Sequence, residues 1–214
     1  MKNIVAFTPI KMNSSRLPWK NILELGGKPM LNHQIETVSK LGISNYVYCS
    51  DEKILPFIEN IDDVHFIERD VALDADNILG YDIYKSFIDK IDADIYILYH
   101  TTSPLLAVKY FQEGLNSILS GKHDSSFTVE PVNKFVWYNG SPINYDTKKI
   151  AKTQDLSPVY IETSGFYMFT KETFLQHKSR IGATPYMVEV DCLGAIDIDY
   201  YDEFRMAELC MKTQ

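Results

Sequence analysis

Three short stretches hold residue types whose spacing could do chemistry. The first, Ile10-Lys11-Met12-Asn13-Ser14-Ser15-Arg16-Leu17-Pro18-Trp19-Lys20-Asn21, sets Lys11, Arg16 and Lys20 among small polar residues, with Lys28 a little beyond. Small residues leave backbone N–H groups accessible and flanking cations neutralise phosphate oxygens, so a triphosphate would suit this loop. A loop that is merely charged and solvated fits the same composition. Neither G-x-G-x-x-G nor G-x-x-x-x-G-K-[ST] occurs in it, which argues against dinucleotide binding and against a P-loop NTPase.

The second stretch is Ala195-Ile196-Asp197-Ile198-Asp199. In extended backbone, residues i and i+2 point to one face, so Asp197 and Asp199 would project together. Two carboxylates on one side repel unless a cation lies between them, and hard oxygen donors of this kind suit Mg²⁺ bound together with substrate phosphates. Alternatively the pair ends a strand and caps the next helix; Asp74/Asp76 and Asp92/Asp94 have the same spacing. The third stretch is His100-Thr101-Thr102-Ser103-Pro104, where hydroxyls and a histidine at a strand's end could orient a polar substrate. It could also cap the following helix. His33, His65, His123 and His177 show no metal spacing.

These groups need elements to position them. The run NIVAFTP, apolar and bounded by Pro9, predicts a buried strand. MLNHQIETVSKLG carries Leu31, Ile35, Val38 and Leu41 at helical spacing and stops at Gly42. The alternation continues with NYVYCS and VHFIE as strands, ILGYDIYKSFIDKI as helix, ADIYILYH as strand, AVKYFQEGLNSILSG as helix and DSSFTVE as strand. Strands alternating with helices imply βαβ units and a mostly parallel sheet covered on both faces, an α/β nucleotide-binding architecture. Ligands in such sheets bind outside the carboxyl ends of the strands, where the Lys11–Asn21 loop would lie. The alternation breaks at about residues 131–160, an inserted β-arm whose Asn139-Gly140 pair signals a hairpin turn. It resumes with SGFYMF, a helix near KETFLQHK, the strand YMVEV, the approach to AIDID and a closing helix DEFRMAELCMK.

The 214 residues fit one domain, and 45% hydrophobic against 23% charged residues is ordinary globular composition. A net charge of -8 argues against a nucleic-acid or anionic-membrane surface, so an anionic ligand must be met by local cations. Cys49, Cys192 and Cys210 are widely spaced and odd in number, signalling neither a disulfide framework nor a zinc motif. With no signal peptide and no run of membrane-spanning length, the expected setting is cytoplasmic.

With these residues in view, the chain resembles the cytidylyltransferases that activate acidic eight- and nine-carbon sugars, the CMP-sialic acid and CMP-Kdo synthetase group. The first loop follows that family's A-R-x-x-S-K-x-x-P-x-K-N. Its R-P-x-x-L-A-x-D is echoed by Arg69 to Asp76, its Q-x-T-S-P-L-R by His100 to Leu106, and its D-S-I-D-I-D by Gly194 to Asp199. The resemblance implies a three-layer, Rossmann-like nucleotide-diphospho-sugar transferase fold. It also implies transfer of CMP from CTP to an acidic, sialic acid-like nonulosonate with release of pyrophosphate, for surface glycan synthesis. Lys11 and Lys20 would hold the CTP phosphates, with Ser14 and Ser15 as loop contacts, and Asn21 and Arg69 would contact the nucleoside. Asp197 and Asp199 would be the Mg²⁺ ligands, and His100, Thr102, Ser103, Glu162 and Ser164 would face the acceptor.

Three departures bear on that acceptor. Leu106 stands where the family has arginine and His100 where it has glutamine. Glu162-Thr163-Ser164-Gly165 lies where sialic acid enzymes carry Arg-Pro-Asn-Gly, and a buried Glu162 would repel a carboxylate. A phosphonate acceptor, or a nucleotide-binding protein without turnover, are therefore alternatives. In the arm, Lys134, Lys148, Lys149 and Lys152 could reach an acceptor across a homodimer or form a solvated basic hairpin. Lys20 is expected to be exposed, so that its removal costs activity far more than stability.

Overall fold

The computed structural model describes residues 2–149 and 152–213. In chain order its elements begin β1 (Ile4–Ile10), β2 (Glu24–Leu25), β3 (Lys28–Pro29), α1 (Met30–Ser39), β4 (Ser44–Cys49), α2 (Leu55–Ile58), β5 (Val64–Glu68), α3 (Gly80–Lys90) and β6 (Ile95–Tyr99). There follow α4 (Val108–Leu119), β7 (Ser125–Val132), β8 (Trp137–Tyr138), β9 (Ser141–Pro142), β10 (Val159–Thr170), α5 (Lys171–His177), β11 (Pro185–Glu189) and α6 (Tyr201–Lys212).

Seven strands make one sheet in the order β11-β7-β10-β6-β1-β4-β5. All neighbours are parallel except β10, which runs antiparallel to both β6 and β7. This is the mostly parallel α/β sheet the alternation of elements predicts. Strands buried on both faces read as continuous apolar runs, and all five residues of β6 are buried. Side chains alternate between two apolar layers. Ala6, Val47, Ile97 and Phe166 meet Leu31 and Ile35 of α1 and Phe111 of α4 on one face. Phe7, Tyr48, Tyr96, Leu98 and Tyr167 meet Phe87 of α3 and Phe174 of α5 on the other. The sheet is thus the middle of three layers.

A third, smaller cluster positions the site. Leu25, Met30, Phe204 and Ala207 enclose Ile198, which is fully buried. Burying a side chain of that size contributes about 1.5–3 kcal/mol, and here it anchors the segment between Asp197 and Asp199 onto α6 and the β2–β3 ribbon.

Two readings change in detail. The segment Ala195–Asp199 forms no strand; Ile198 plugs the third cluster instead of pairing with a sheet edge. β10 begins at Val159, five residues before the expected Ser164, because Val159–Glu162 pair with Val129–Val132 across a register shift between Glu162 and Tyr167. At that irregularity Ser164 has φ 58, the left-handed region that costs a non-glycine residue energy. The hairpin turn at Asn139-Gly140 joins β8 to β9 with φ 48 and 77, both positive as a two-residue type I′ loop requires. The arm expected at 131–160 includes Ile150 and Ala151, which lie outside the described residues.

Candidate active site

Because β1, β4 and β6 are parallel, the loops after Ile10, Cys49 and Tyr99 open on one edge of the sheet. A cavity of about 250 Å³ lies there, lined by Lys11, Ser14, Ser15, Arg16, Lys20 and Asn21 of the first loop and by His100, Thr101 and Thr102 of the third. A larger depression, about 620 Å³, sits at the opposite edge beside Asp92, Thr170 and Lys171. It lies at the amino ends of the parallel strands, and Lys171 is paired there with Asp92 at 2.6 Å. Ligands in this class of sheet occupy the carboxyl edge, so the smaller cavity is the candidate site.

Lys20 connects the parts of that site. Its Nζ donates to the Ile198 carbonyl at 2.8 Å and to Asp199 Oδ1 at 2.8 Å. It is 8% exposed, which overturns the expectation of a solvated cation: the short 3-10 turn Lys20–Ile22, entered through Trp19 in the left-handed region, points the side chain inward under the loop. Arg16 meets the same carboxylate, Nη1 donating to Asp199 Oδ2 at 2.5 Å. The aspartate segment is tied to the third loop as well, since the Ile198 N–H donates to the Thr102 carbonyl at 2.8 Å. Glu203, in the first turn of α6, accepts from the backbone N–H groups of Asp199 and Tyr200 at 2.6 and 2.7 Å and fixes the turn.

Both capping alternatives are removed by these contacts. The Asp199 carboxylate faces Arg16 and Lys20, not the free N–H groups of α6. Helix α4 starts at Val108 without a side-chain cap, leaving His100–Ser103 free of that task. Thr101 instead donates to Asn21 Oδ1 at 2.8 Å, and Asn21 Nδ2 donates to the Lys11 carbonyl at 3.2 Å, so Asn21 closes the first loop onto the third.

Asp197 is the electrostatic outlier. Burial pushes its carboxyl above the usual carboxylate range, the Thr102 hydroxyl opposes the shift, and the charge on Asp199 adds to it. Its Oδ1 is buried without a hydrogen-bond partner. An orphaned hard oxygen beside a second carboxylate is what a small divalent cation would satisfy. Among the described residues no group of three or more His, Cys, Asp or Glu side chains forms a complete cage. A two-carboxylate site sharing its cation with ligand oxygens matches how Mg²⁺ is held. His100 is half-buried; burial lowers its imidazole below the ordinary value, against the pull of the Ser164 carbonyl, which contacts Nδ1 at 2.5 Å. The ring is therefore neutral at pH 7.

Arg69, Ser103 and Glu162 do not line the cavity. Arg69, 3% exposed, sits beneath the first loop, donating to the Ile10 carbonyl at 2.9 Å and to Asp74 Oδ1 at 2.6 Å. Lys11 Nζ donates to the Asp74 carbonyl at 2.6 Å, so the Arg69–Asp76 segment buttresses the loop. Ser103 is buried with its hydroxyl unpartnered. Glu162 is exposed, not buried, and accepts from the Tyr167 hydroxyl at 2.8 Å, which removes the premise that it would repel an acceptor from inside the site. Arg16 and Thr101, named in the sequence only as members of the cationic loop and the hydroxyl cluster, take individual places in the site. Arg16 could have been singled out, since it follows Ser15, the position where the family pattern has lysine.

The comparison that decides the family covers nearly the whole chain: residues 5–208 match the cytidylyltransferase model. The chain belongs to the cytidylyltransferase family. It is 26% identical over 211 residues to the N-acylneuraminate cytidylyltransferase of Streptococcus agalactiae serotype III, covering 94% of this chain and 51% of that protein. It is 25% identical over 190 residues to the pseudaminic acid cytidylyltransferase of Campylobacter jejuni subsp. jejuni, covering 82% of each. The chain thus spans about half the length of the streptococcal relatives it matches. In fold it is similar to a CMP:2-keto-3-deoxy-manno-octonic acid synthetase solved with CTP, at TM-score 0.74, 17% identity and 99% coverage of both chains. A 4-diphosphocytidyl-2C-methyl-D-erythritol synthase from Anaerococcus prevotii gives 0.71 and 14%, covering 99% of this chain and 96% of that one. Among the described residues no helix is long and apolar enough to cross a membrane.

Proposed function

We propose that this cytidylyltransferase transfers CMP from CTP to an acidic sugar of the nonulosonate class and releases pyrophosphate. The acceptor oxygen attacks the α-phosphorus; the new O–P bond forms as the bond to the bridging oxygen of pyrophosphate breaks, and the acceptor's proton passes to solvent. Such a reaction asks for positioning and charge neutralisation more than for covalent chemistry. Lys11, Arg16 and Lys20 would neutralise the phosphates, with the backbone around Ser14 and Ser15 as further donors and Asn21 and Arg69 setting the loop against the nucleoside. Asp197 and Asp199 would hold Mg²⁺, which when bound neutralises developing charge on the phosphoryl oxygens. His100, Thr102 and Ser164 form the wall toward the acceptor.

The observation that supports this reading most is the meeting, at Lys20, of the cationic loop with the aspartate pair 179 residues later in the chain. The acidic character of the acceptor is supported by the relatives, which are named for N-acylneuraminate and pseudaminic acid. A homodimer through the arm is part of the proposal, since Phe135, Trp137, Tyr138 and Ile143 stand exposed there. So is a reducing, cytoplasmic setting, which suits three unpaired cysteines.

The test is to incubate the purified protein with CTP, Mg²⁺ and a panel of N-acetylneuraminate, pseudaminate, 3-deoxy-manno-octulosonate and an alkylphosphonate, following pyrophosphate and the mass of the CMP conjugate. A CMP-sugar acid is expected. A CMP-phosphonate alone would reassign the acceptor, and no conjugate together with no CTP binding would overturn the reading.

A further inference from the structure

The two carboxylates of the aspartate pair have unlike surroundings. Asp197 Oδ1 is buried without a partner. Asp199, two residues on, has both oxygens engaged: Arg16 Nη1 donates to Oδ2 at 2.5 Å and Lys20 Nζ donates to Oδ1 at 2.8 Å. A divalent cation approaching the pair therefore meets one carboxylate that lacks a counter-charge and one that already has two. On Asp199 it must compete with an ammonium and a guanidinium.

The two competitors are held very differently. Lys20 is buried and has the Ile198 carbonyl as a second partner at 2.8 Å, so it is part of the scaffold. The Arg16 side chain is 52% exposed, and among the described residues Asp199 is its one hydrogen-bond partner. Its guanidinium otherwise only faces the Tyr200 ring, 5.8 Å from the centroid. The backbone that carries it has no helix or strand between Ile10 and the 3-10 turn at Lys20. A half-exposed ion pair on such a loop contributes little to folding and exchanges readily.

Arg16 also lines the cavity, beside Lys11, Ser14 and Ser15. It thus stands between two anions, the Asp199 carboxylate and the phosphates proposed to enter the cavity. Asp199 offers it a single oxygen, the other being held by Lys20, whereas a phosphate presents two oxygens that match the planar fork of the guanidinium. A hard divalent cation, in turn, suits the carboxylate oxygen that Arg16 would vacate. The family pattern has its lysine at residue 15, where this chain has serine, so the contact with Asp199 is made by a residue outside that pattern.

We propose that Arg16 is an exchangeable counter-ion of Asp199: it balances the carboxylate when no nucleotide is bound and passes to the phosphates when CTP enters, so that the divalent cation binds with the nucleotide and not before it. This inference rests on the proposed use of CTP and adds the device that couples the two ligands. Such coupling is reciprocal, since whatever removes Arg16 from Asp199 helps the cation, and the cation on Asp199 frees Arg16 for the nucleotide.

The experiment measures two affinities in the unaltered protein, Arg16→Ala, Arg16→Gln and Lys11→Ala. The first is that for Mn²⁺ without nucleotide, read from the loss of the free-ion EPR signal; Mn²⁺ is a suitable probe because carboxylate oxygens accept it. Removing the competing guanidinium should tighten Mn²⁺ binding about two- to fivefold in Arg16→Ala and Arg16→Gln. The gain should vanish when Asp199→Asn is added to Arg16→Ala. Lys11→Ala, which removes a cavity cation bonded to the Asp74 carbonyl and not to Asp199, should leave Mn²⁺ affinity as it was. The second is the affinity for CTP in chelator, read by calorimetry, which should fall about tenfold in Arg16→Ala with the loss of one charge-assisted contact. Unchanged or weaker Mn²⁺ binding in both Arg16 variants would overturn the exchange, as would an equal gain in Lys11→Ala or a gain that survives Asp199→Asn. CTP affinity in chelator that is untouched by Arg16→Ala would overturn it too, since Arg16 would then never leave Asp199. CTP binding by the unaltered protein with any of these results removes the exchange and leaves the functional reading standing. No CTP binding by the unaltered protein would remove both.

Discussion

Lys20 carries two jobs that the residue scale separates. Buried and bonded to the Ile198 carbonyl and Asp199, it holds the aspartate segment as well as facing the cavity. Lys20→Ala leaves a buried carbonyl unpartnered and should cost about 1–3 kcal/mol of stability, with turnover falling about 10²- to 10³-fold; chemical denaturation and steady-state kinetics on one preparation check both. Asp197→Asn should act the other way on stability. Burial holds the Asp197 carboxyl above its unfolded pKa, so the folded chain binds the proton better than the unfolded one. The stability from this group is full below the unfolded pKa and is lost as pH rises through the folded one. In chelator at pH 7 to 8, Asp197→Asn should therefore melt no lower than the unaltered protein while losing turnover; a lower melting temperature would contradict this. The sequence makes Lys20 and the aspartates legible because their types and spacing speak for anion and cation chemistry. The burial of Lys20 is not legible, since it depends on Ile198 seating itself among residues of α6 and the β2–β3 ribbon.

Among the elements, β10 matters most because it reverses direction between β6 and β7 and carries the proposed acceptor wall. Its bulge turns the Ser164 carbonyl onto His100, while the Thr128 hydroxyl accepts from Gly165 N–H at 3.1 Å and from the Thr163 hydroxyl at 2.8 Å. A Cβ on Gly165 would lie 2.7 Å from Leu106 Cδ2 and 3.1 Å from Thr128 Oγ1. Gly165→Ala should thus cost about 1–3 kcal/mol and raise the acceptor KM more than the CTP KM. Equal KM values with the original melting temperature would show the bulge to be more compliant than this. The central strands and the hairpin turn are readable because each follows a local rule: buried parallel strands are apolar throughout, and Asn-Gly fits a turn with two positive φ angles. The early start of β10 is not readable from Val159–Glu162, whose pairing comes from β7 rather than from their own pattern. Asp197–Asp199 reads as a strand by alternation, yet it pairs with no strand, and the buried Ile198 decides its shape.

At the scale of the molecule, three layers leave one edge of the sheet open, and sequence-distant loops converge there because the parallel strands end together. The arm projects Trp137 and Tyr138 at 56% and 69% exposure, more apolar surface than an isolated hairpin keeps without a partner. Sedimentation should give the mass of two chains, and Trp137→Glu with Tyr138→Lys should give one; a monomer in the unaltered protein would remove the arm from the account. The central claim is that the cationic loop and the aspartate pair act together on one triphosphate. Calorimetric titration of CTP with Mg²⁺ into the unaltered protein, Lys20→Ala and Asp197→Asn tests it most directly. One CTP per chain is expected, with affinity at least about tenfold weaker in each variant, the effect of losing one charge-assisted contact. Unchanged affinity in both variants, or no CTP binding by the unaltered protein, would contradict the claim.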